Sequence, residues 1–216
     1  EERGELSRGK IILEATSGNT GIGLAIVAAV KGYRLLLAMP ESVSVERRRI
    51  LEALGAELLL TPAAQGTDGA IERVYELMRA DPGKYFMADQ FNNPDNWRAH
   101  YELTAPEIWA QTEGKVNVLV ATLGTTGTAM GLARRFAEID PKVLVIGVEP
   151  RPGHKIQGLK NMKESYKPGI FDKSILGAKV AIDDDDAFET ARRLAREGIF
   201  VGMSSGAAVF VALQKA

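Results

Sequence analysis

The chain has 216 residues, enough for one large α/β domain or two small lobes with a buried core. Its 27 Lys and Arg residues nearly balance its 28 Asp and Glu residues, which argues against an electrostatic interaction with nucleic acid or with an anionic membrane. With no cysteine and only two histidines, the sequence excludes disulfides and thiolate metal sites, and small molecules or another protein chain are the expected partners.

Short apolar segments alternate with helical patterns along the chain. The predicted strands are 10–15, 34–39, 57–60, 85–88, 116–120 and 143–148. The predicted helices are 22–31, 45–54, 67–80, 97–110, 129–139 and 186–197. Strands that are apolar almost throughout and separated by helices are typical of parallel sheets covered on both faces. We therefore predict a doubly wound α/β fold with right-handed crossovers.

Two segments interrupt this alternation. Residues 91–96 read Phe-Asn-Asn-Pro-Asp-Asn and form a predicted hinge between two lobes. Residues 151–178 are rich in Gly, Pro and Lys and show no clear periodicity. Because long loops in compact domains are often functional, we expect this second segment to lie over or beside a cleft.

The ends of the chain carry no targeting pattern. No apolar segment approaches the roughly 20 residues of a membrane span, and the N-terminus lacks the features of a signal peptide, so we expect a cytoplasmic protein. The first residue is not Met, and residues 211–216 lie within a helical pattern that has no stop signal. These features lead us to expect a chain truncated at both ends.

The most specific pattern is Thr-Ser-Gly-Asn-Thr-Gly at residues 16–21, the first glycine-rich loop, which follows a predicted strand and precedes a predicted helix. The N-terminus of a helix presents unpaired N–H groups and the positive end of the helix dipole, so this loop favours an anion. Its hydroxyl and amide side chains would add directional hydrogen bonds.

Gly-Thr-Thr-Gly-Thr at residues 124–128, the second glycine-rich loop, lies in the same kind of position. Its glycines allow close backbone approach, and its threonine hydroxyls suit a phosphate dianion. Neither loop has the glycine spacing of a dinucleotide site or the Lys-Ser/Thr pair of a P-loop. A single such loop is as often only a tight turn, but two favour one ligand with two anionic ends, such as a phosphorylated cofactor that carries an amino acid.

Four segments make the sequence recognisable, namely 14–21, 89–91, 124–128 and Gly-Met-Ser-Ser-Gly at 202–206. They resemble the cysteine synthase (O-acetylserine sulfhydrylase) and cystathionine β-synthase family, whose members use pyridoxal 5′-phosphate. The resemblance covers essentially the whole chain. It implies two α/β lobes with the cofactor cleft between them, a smaller lobe of residues 13–94 and a larger one of residues 1–12 and 95–216.

The resemblance also implies roles for individual residues. The expected ligands of the substrate carboxylate are Thr16, Ser17, Gly18, Thr20 and Gln90. The expected cofactor ligands are Asn19 near the phenolic oxygen, Gly124, Thr125, Thr126, Gly127 and Thr128 at the phosphate, and Ser204 at the pyridine nitrogen. A neutral hydroxyl at the pyridine nitrogen leaves the ring a weaker electron sink, which suits β-elimination better than transamination.

The sequence departs from the family pattern at two points. Thr126 replaces the central glycine of the usual phosphate loop, a variant that resembles the B-type cysteine synthases. In the family the Schiff-base lysine lies about thirty residues before the first glycine-rich loop. Only fifteen residues precede Thr16 here. We therefore expect that lysine outside this chain, and we expect the chain alone to be inactive.

The implied reaction is a β-replacement that makes L-cysteine from O-acetylserine or O-phosphoserine and a sulfide donor, in an enzyme that is usually a homodimer. Three alternatives remain open. Cystathionine β-synthase would use homocysteine as the nucleophile, a serine or threonine dehydratase would stop after elimination, and a lysine-less relative would only bind a partner.

Three further features have simpler interpretations. Lys160 lies in a loop that resembles the substrate-side loop of B-type enzymes, where a basic residue favours a phosphoserine leaving group, but a solvated surface lysine is the preferred interpretation. The acidic residues 183–186 precede a helix and are predicted to cap it, so no metal site is expected. His100 and His154 lack the companions of a catalytic triad.

Overall fold

The structure, a computed structural model, describes residues 1, 3–163 and 166–216. The chain divides into two units, Glu1–Gln90 and Phe91–Ala216. The division falls at the start of the predicted hinge, 91–96. It differs from the predicted lobes at the N-terminus, because residues 1–12 belong to the first unit. Leu6 packs against the core of that unit, and Ile11 pairs with Arg34 and Tyr85 in its sheet.

The first unit contains a parallel sheet of four strands. The strands are β1 (Ile11–Ala15), β2 (Arg34–Pro40), β3 (Glu57–Thr61) and β4 (Tyr85–Met87), in the order β3-β2-β1-β4. The helices are α1 (Asn19–Lys31), α2 (Val45–Ala53) and α3 (Gly66–Ala80), with a 3₁₀ turn at Ala63–Gln65. Every residue of β1 is buried, as expected for a central strand of a parallel sheet.

The core of the first unit forms where apolar strand residues meet α1 and α2. It contains Ile12, Ala25, Ala28, Leu35, Leu37, Met39, Leu51 and Ala56. The helix α3 packs against β1 and β2 and buries Ala70, Ile71 and Val74. This packing fixes the carboxyl end of β1, from which the first glycine-rich loop leaves the sheet.

The second unit contains a parallel sheet of three strands. These are β5 (Val118–Thr122), β6 (Leu144–Pro150) and β7 (Ala178–Ile182), in the order β5-β6-β7. The helices are α4 (Asp95–Ala99), α5 (Ala105–Gln111), α6 (Gly127–Ile139), α7 (Asp184–Arg196) and α8 (Met203–Lys215). A π-helical turn at His100–Thr104 joins α4 to α5, and a 3₁₀ turn spans Lys173–Ile175.

Helices cover both faces of this second sheet, which accounts for its apolar strands. One cluster joins Ile146, Val148 and Ile182 to Ala187 of α7 and to Ala207 and Val211 of α8. Another joins Val143 and Val145 to Ala105 of α5 and to Leu132, Ala133 and Phe136 of α6. The predicted α/β class with parallel sheets is confirmed.

Three details differ from the predicted elements. Helix α1 begins at Asn19, three residues before the predicted start, because its first turn is polar and lies outside the apolar pattern. Strand β7 is partly exposed and was not predicted. The predicted helix 97–110 begins at Asp95 and contains the π-helical turn. Within the described residues, no helix is long and apolar enough to cross a membrane.

The predicted long loop is present from Arg151 to Gly177, with its residues 164 and 165 outside the described part of the chain. The acidic residues that follow β7 lie at the start of α7, as predicted. However, the predicted side-chain cap is absent at Asp183, which pairs with Arg151 instead. Asp184 accepts a hydrogen bond from the backbone N–H of Lys155 at 2.8 Å, so this residue holds the loop to the helix.

Candidate functional site

The first glycine-rich loop connects β1 to α1 in the first unit. Thr16 is buried and donates its backbone N–H to the carbonyl oxygen of Ala38 at 3.0 Å, which ties the start of the loop to β2. Its hydroxyl accepts from the N–H of Gly18 at 3.3 Å. Asn19 and Thr20 form the exposed first turn of α1, and Gly18 supplies no side-chain cap. The loop thus presents the N-terminus of a 13-residue helix to an anion.

Gln90 follows Thr20 by 70 residues in the sequence but lies against the first glycine-rich loop. The Thr20 hydroxyl donates to Gln90 Oε1 at 2.9 Å, and Gln90 Nε2 donates to the carbonyl oxygen of Ala15 at 2.8 Å. The structure therefore brings together the predicted carboxylate ligands, which are Thr16, Ser17, Gly18, Thr20 and Gln90. Their role as ligands stays a prediction.

Glu14, which the sequence did not mark as functional, is fully buried at the end of β1. Its Oε1 accepts from the N–H of Ala15 at 3.0 Å, and its Oε2 accepts from the N–H of Gln90 at 3.2 Å. Burial raises the pKa of the Glu14 carboxyl to about 7, while these N–H groups oppose the rise and the nearby charge of Asp89 adds to it. A carboxyl with a raised pKa thus lies directly before the first glycine-rich loop.

The second glycine-rich loop lies in the second unit, between β5 and α6. It borders a cavity of about 230 Å³. The lining consists of the whole loop, Gly124, Thr125, Thr126, Gly127 and Thr128, together with Thr122, Gln157, Gly158, Leu159 and Ser204. All of the predicted phosphate-loop residues and Ser204 are therefore at one cavity, whereas Asn19 belongs to the first unit. The sequence did not identify Thr122, whereas residues 157–159 belong to the segment 151–178 that was expected to lie beside a cleft.

The second glycine-rich loop contains one left-handed residue and two glycines at which a side chain would clash. Thr126 lies in the left-handed region with φ of 72°. Gly127 begins α6, and a Cβ there would lie 1.9 Å from Asn96 Oδ1, so only glycine lets α4 approach so closely. A Cβ at Gly124 would lie 2.5 Å from the carbonyl oxygen of Gly158, so glycine at position 124 lets the long loop lie against the cavity.

Two residues from the 95–104 segment hold two of the three threonine hydroxyls of the second loop. Asn96 Nδ2 donates to Thr125 Oγ1 at 3.1 Å. The His100 ring places Nε2 3.2 Å from Thr128 Oγ1 and Nδ1 3.0 Å from Thr104 Oγ1. Burial lowers the pKa of His100, which favours the neutral ring. The spacing of four residues between Asn96 and His100 is the only sequence signal for this pair.

Lys160 is buried rather than solvated, so the preferred interpretation of this residue from sequence was wrong. Its ammonium group lies 5.5 Å from the centre of the Phe91 ring, and its backbone N–H donates to the carbonyl oxygen of Leu123 at 2.8 Å. Glu149 holds the same loop, since it accepts from the N–H of Met162 at 3.0 Å and pairs with Lys179. Lys160 is not part of the cavity lining.

The second loop fits the phosphate of a cofactor on its own geometry. It combines the N-terminus of the 13-residue helix α6 with hydroxyls that line the cavity. Within the described residues, the buried Thr126 Oγ1 has no hydrogen-bond partner, so it can donate to a ligand. The described chain contains no group of three or more His, Asp or Glu side chains that could hold a metal ion.

Comparison with known proteins gives a consistent set of relatives. The family model described as pyridoxal-phosphate dependent enzyme matches residues 1–216. The cysteine synthase of Aquifex aeolicus is 49% identical over all of this chain and 66% of its own length, and cysteine synthase B of Escherichia coli is 48% identical over all of this chain and 71% of its own. A crystal structure of the Entamoeba histolytica cysteine synthase has a TM-score of 0.92 at 42% identity, over 99% of this chain and 65% of that one. The chain thus spans about two thirds of the length of these relatives.

Proposed function

The chain belongs to the pyridoxal-phosphate dependent enzymes, and from this premise we propose that the protein containing it makes L-cysteine by β-replacement. The proposed substrates are O-acetylserine or O-phosphoserine and a sulfide donor. The cavity at the second glycine-rich loop carries the proposal, because it combines a phosphate-type helix N-terminus with Ser204 and with a Thr126 hydroxyl that has no hydrogen-bond partner among the described residues. The names of relatives at 48 and 49% identity support the choice of reaction.

Each proposed role follows from the chemistry of the residue. Pyridoxal phosphate, when bound, supplies the electron sink for breaking bonds at the amino-acid α-carbon. The second glycine-rich loop would hold its phosphate through backbone N–H groups and threonine hydroxyls. The Ser204 hydroxyl would meet the ring nitrogen without adding a charge, and this would favour elimination over transamination. Asn19 is proposed to contact the phenolic oxygen.

The first glycine-rich loop is proposed to bind the α-carboxylate of the substrate. The N–H groups at the start of α1 and the hydroxyls of Thr16, Ser17 and Thr20 are suitable donors, and Gly18 directly precedes the helix. Gln90 would complete this set. The proposed lysine that removes the α-proton is not among these residues, and its position outside this chain stays a prediction.

Two parts of the proposal rest on the family resemblance alone. These are the homodimer and the role of Lys160 toward the leaving group. Lys160 does not line the cavity at the second glycine-rich loop, and its ammonium group lies 5.5 Å from the centre of the Phe91 ring.

The test is formation of L-cysteine from O-acetylserine and sulfide by the protein that contains these 216 residues, loaded with pyridoxal phosphate. Ser204→Ala should lower kcat about tenfold, the effect of one lost hydrogen bond to a developing charge. Ser205→Ala is the matched control, because its neighbour Ser204 lines the cavity and Ser205 does not. A loaded wild-type protein that makes no cysteine from either serine ester would overturn the proposal.

A further inference from the structure

Glu14 is a buried acid to which the proposed reaction gives no role. Its side chain is 0% exposed, and within the described residues it forms no ion pair. Burying a carboxyl without a cation is costly unless hydrogen bonds compensate. Its position directly before the first glycine-rich loop, and its contacts with Gln90, connect it to the proposed carboxylate site.

The contacts of Glu14 all come from N–H donors. Oε1 accepts from the N–H of Ala15 at 3.0 Å and from Gln90 Nε2 at 3.4 Å, and Oε2 accepts from the N–H of Gln90 at 3.2 Å. An ionised carboxylate can accept all three, whereas a protonated carboxyl must turn one oxygen into a donor. The hydrogen-bond pattern therefore favours the ionised form, while burial favours the neutral one.

The side-chain amide nitrogen of Gln90 donates to two groups at the end of β1. Nε2 donates to Ala15 O at 2.8 Å and to Glu14 Oε1, and the Gln90 Oε1 accepts from Thr20. One N–H of the Gln90 amide thus donates to the Glu14 carboxylate, and a bound substrate carboxylate would need that N–H. Because an amide nitrogen has only two hydrogens, Gln90 cannot keep both inner contacts and also donate to a ligand.

Among the described residues, Asp89 is the charged group that acts on Glu14. Asp89, which follows β4, adds a repelling charge, and Tyr75 of α3 donates its hydroxyl to Asp89 Oδ1 at 3.0 Å. On the neighbouring strand β2 the paired residue is the apolar Leu37. Burial, the main cause, raises the pKa of Glu14 to about 7, so this carboxyl holds its proton more tightly than an exposed glutamate does.

We propose that Glu14 is a positioning residue for Gln90: the ionised carboxylate retains the Gln90 amide, and protonation of Glu14 releases it to donate to the α-carboxylate of an amino acid. The inference rests on the proposed function of the first glycine-rich loop as the carboxylate site. Two effects act in the same direction, because a negative Glu14 also repels an incoming carboxylate. Binding an amino acid is therefore linked to proton uptake at Glu14.

The consequence is measurable with L-alanine, which has the α-carboxylate and amine but no leaving group. Affinity for L-alanine should fall between pH 6 and pH 8, by about tenfold for each pKa unit that binding adds to Glu14. Calorimetry in two buffers of different ionisation enthalpy, on the protein loaded with pyridoxal phosphate, gives the number of protons taken up directly. Protons exchanged by the alanine amine contribute equally in every variant.

Glu14→Gln removes the titration while keeping the shape of the side chain. Compared with wild type, it should lose the Glu14 share of proton uptake, bind L-alanine more tightly at pH 8, and flatten the pH profile of KM more than that of kcat. Asp89→Asn keeps an acceptor for Tyr75 but removes the repelling charge, so it should shift the midpoint of the affinity profile to lower pH. A protein with ¹³C-labelled glutamate carboxyls reports the Glu14 titration in the wild type if Glu14→Gln does not fold.

The outcomes separate the inference from the proposed function. If no variant binds L-alanine at any pH, the carboxylate site itself fails. If wild type and Glu14→Gln bind with the same proton uptake, or if the wild-type Glu14 signal does not respond to L-alanine, the carboxylate site stands and the role of Glu14 is wrong.

Discussion

The two glycine-rich loops leave parallel strands and open helices in the same way, but neighbours of different charge hold them in place. In the second unit, neutral groups fix the threonine hydroxyls, Asn96 at Thr125 and His100 at Thr128. In the first unit, an ionisable buried acid, Glu14, holds Gln90. Under the proposed function, the second loop would hold a cofactor phosphate that stays bound, and the first would hold a substrate carboxylate that enters and leaves with each reaction cycle. The predictions below test this contrast.

The largest expected effect concerns stability in the first unit. The pKa of Glu14 rises from 4.5 to about 7 on folding, so the folded state retains a proton that the unfolded state loses. The unfolding free energy should therefore fall as pH rises from 4.5 through 7, by about 3 kcal/mol in total. Chemical denaturation across this range should show a flatter profile for Glu14→Gln. Equal slopes would show that Glu14 is not the titrating group.

The second expected effect concerns the phosphate loop. Thr128→Val removes a hydroxyl at the start of α6, and loss of one hydrogen bond to a charged group should weaken pyridoxal phosphate binding by about tenfold to a hundredfold. Thr112→Val is the control, because the Thr112 hydroxyl only donates to its own helix, to the carbonyl of Ile108 at 2.8 Å. Fluorescence titration with pyridoxal phosphate measures both. Equal affinities would exclude Thr128 as a phosphate ligand.

A third effect separates substrate binding from cofactor binding. Gln90→Ala removes the acceptor of Thr20 and a proposed donor to the substrate, so KM for the amino-acid substrate should rise about tenfold. Affinity for pyridoxal phosphate should remain that of the wild type. Gln111→Ala, on α5, is the control, since the exposed Gln111 side chain donates to Glu107 of its own helix. A change confined to cofactor affinity would contradict the division of roles between the loops.

The smallest effect is expected at His100. Its lowered pKa means that the ring gains a proton less readily when folded, so its contribution to stability is present above its ordinary pKa and is lost as pH falls below it. His100→Gln should reduce this loss on acidification. The sign is opposite to that of Glu14, so denaturation of both variants from pH 5 to pH 8 distinguishes the two units. If His100→Gln and Glu14→Gln changed the pH dependence of the unfolding free energy in the same direction, the contrast between the two units would be contradicted.

Much of the fold followed from the sequence because its strands are apolar throughout and its loops contain unusual glycine and threonine patterns. The same local signals located the two glycine-rich loops. The contacts of Glu14 with Gln90 span 76 residues, and no local pattern encodes them. Lys160 was misjudged because a single lysine is usually exposed, whereas here a tertiary contact with Phe91 buries it. Strand β7 was missed although four of its five residues are apolar, because two of them are alanines, which favour strands less than β-branched residues do, and Lys179 interrupts the run.

The most direct test of the account follows backbone amide NMR signals while pyridoxal phosphate and then L-alanine are added. The account predicts that pyridoxal phosphate shifts the signals of residues 124–128 and Ser204, and that L-alanine then shifts those of residues 16–20 and Gln90. If L-alanine shifted only the second glycine-rich loop, or if pyridoxal phosphate left that loop unchanged, the assignment of the two loops to the two anionic ends would be contradicted.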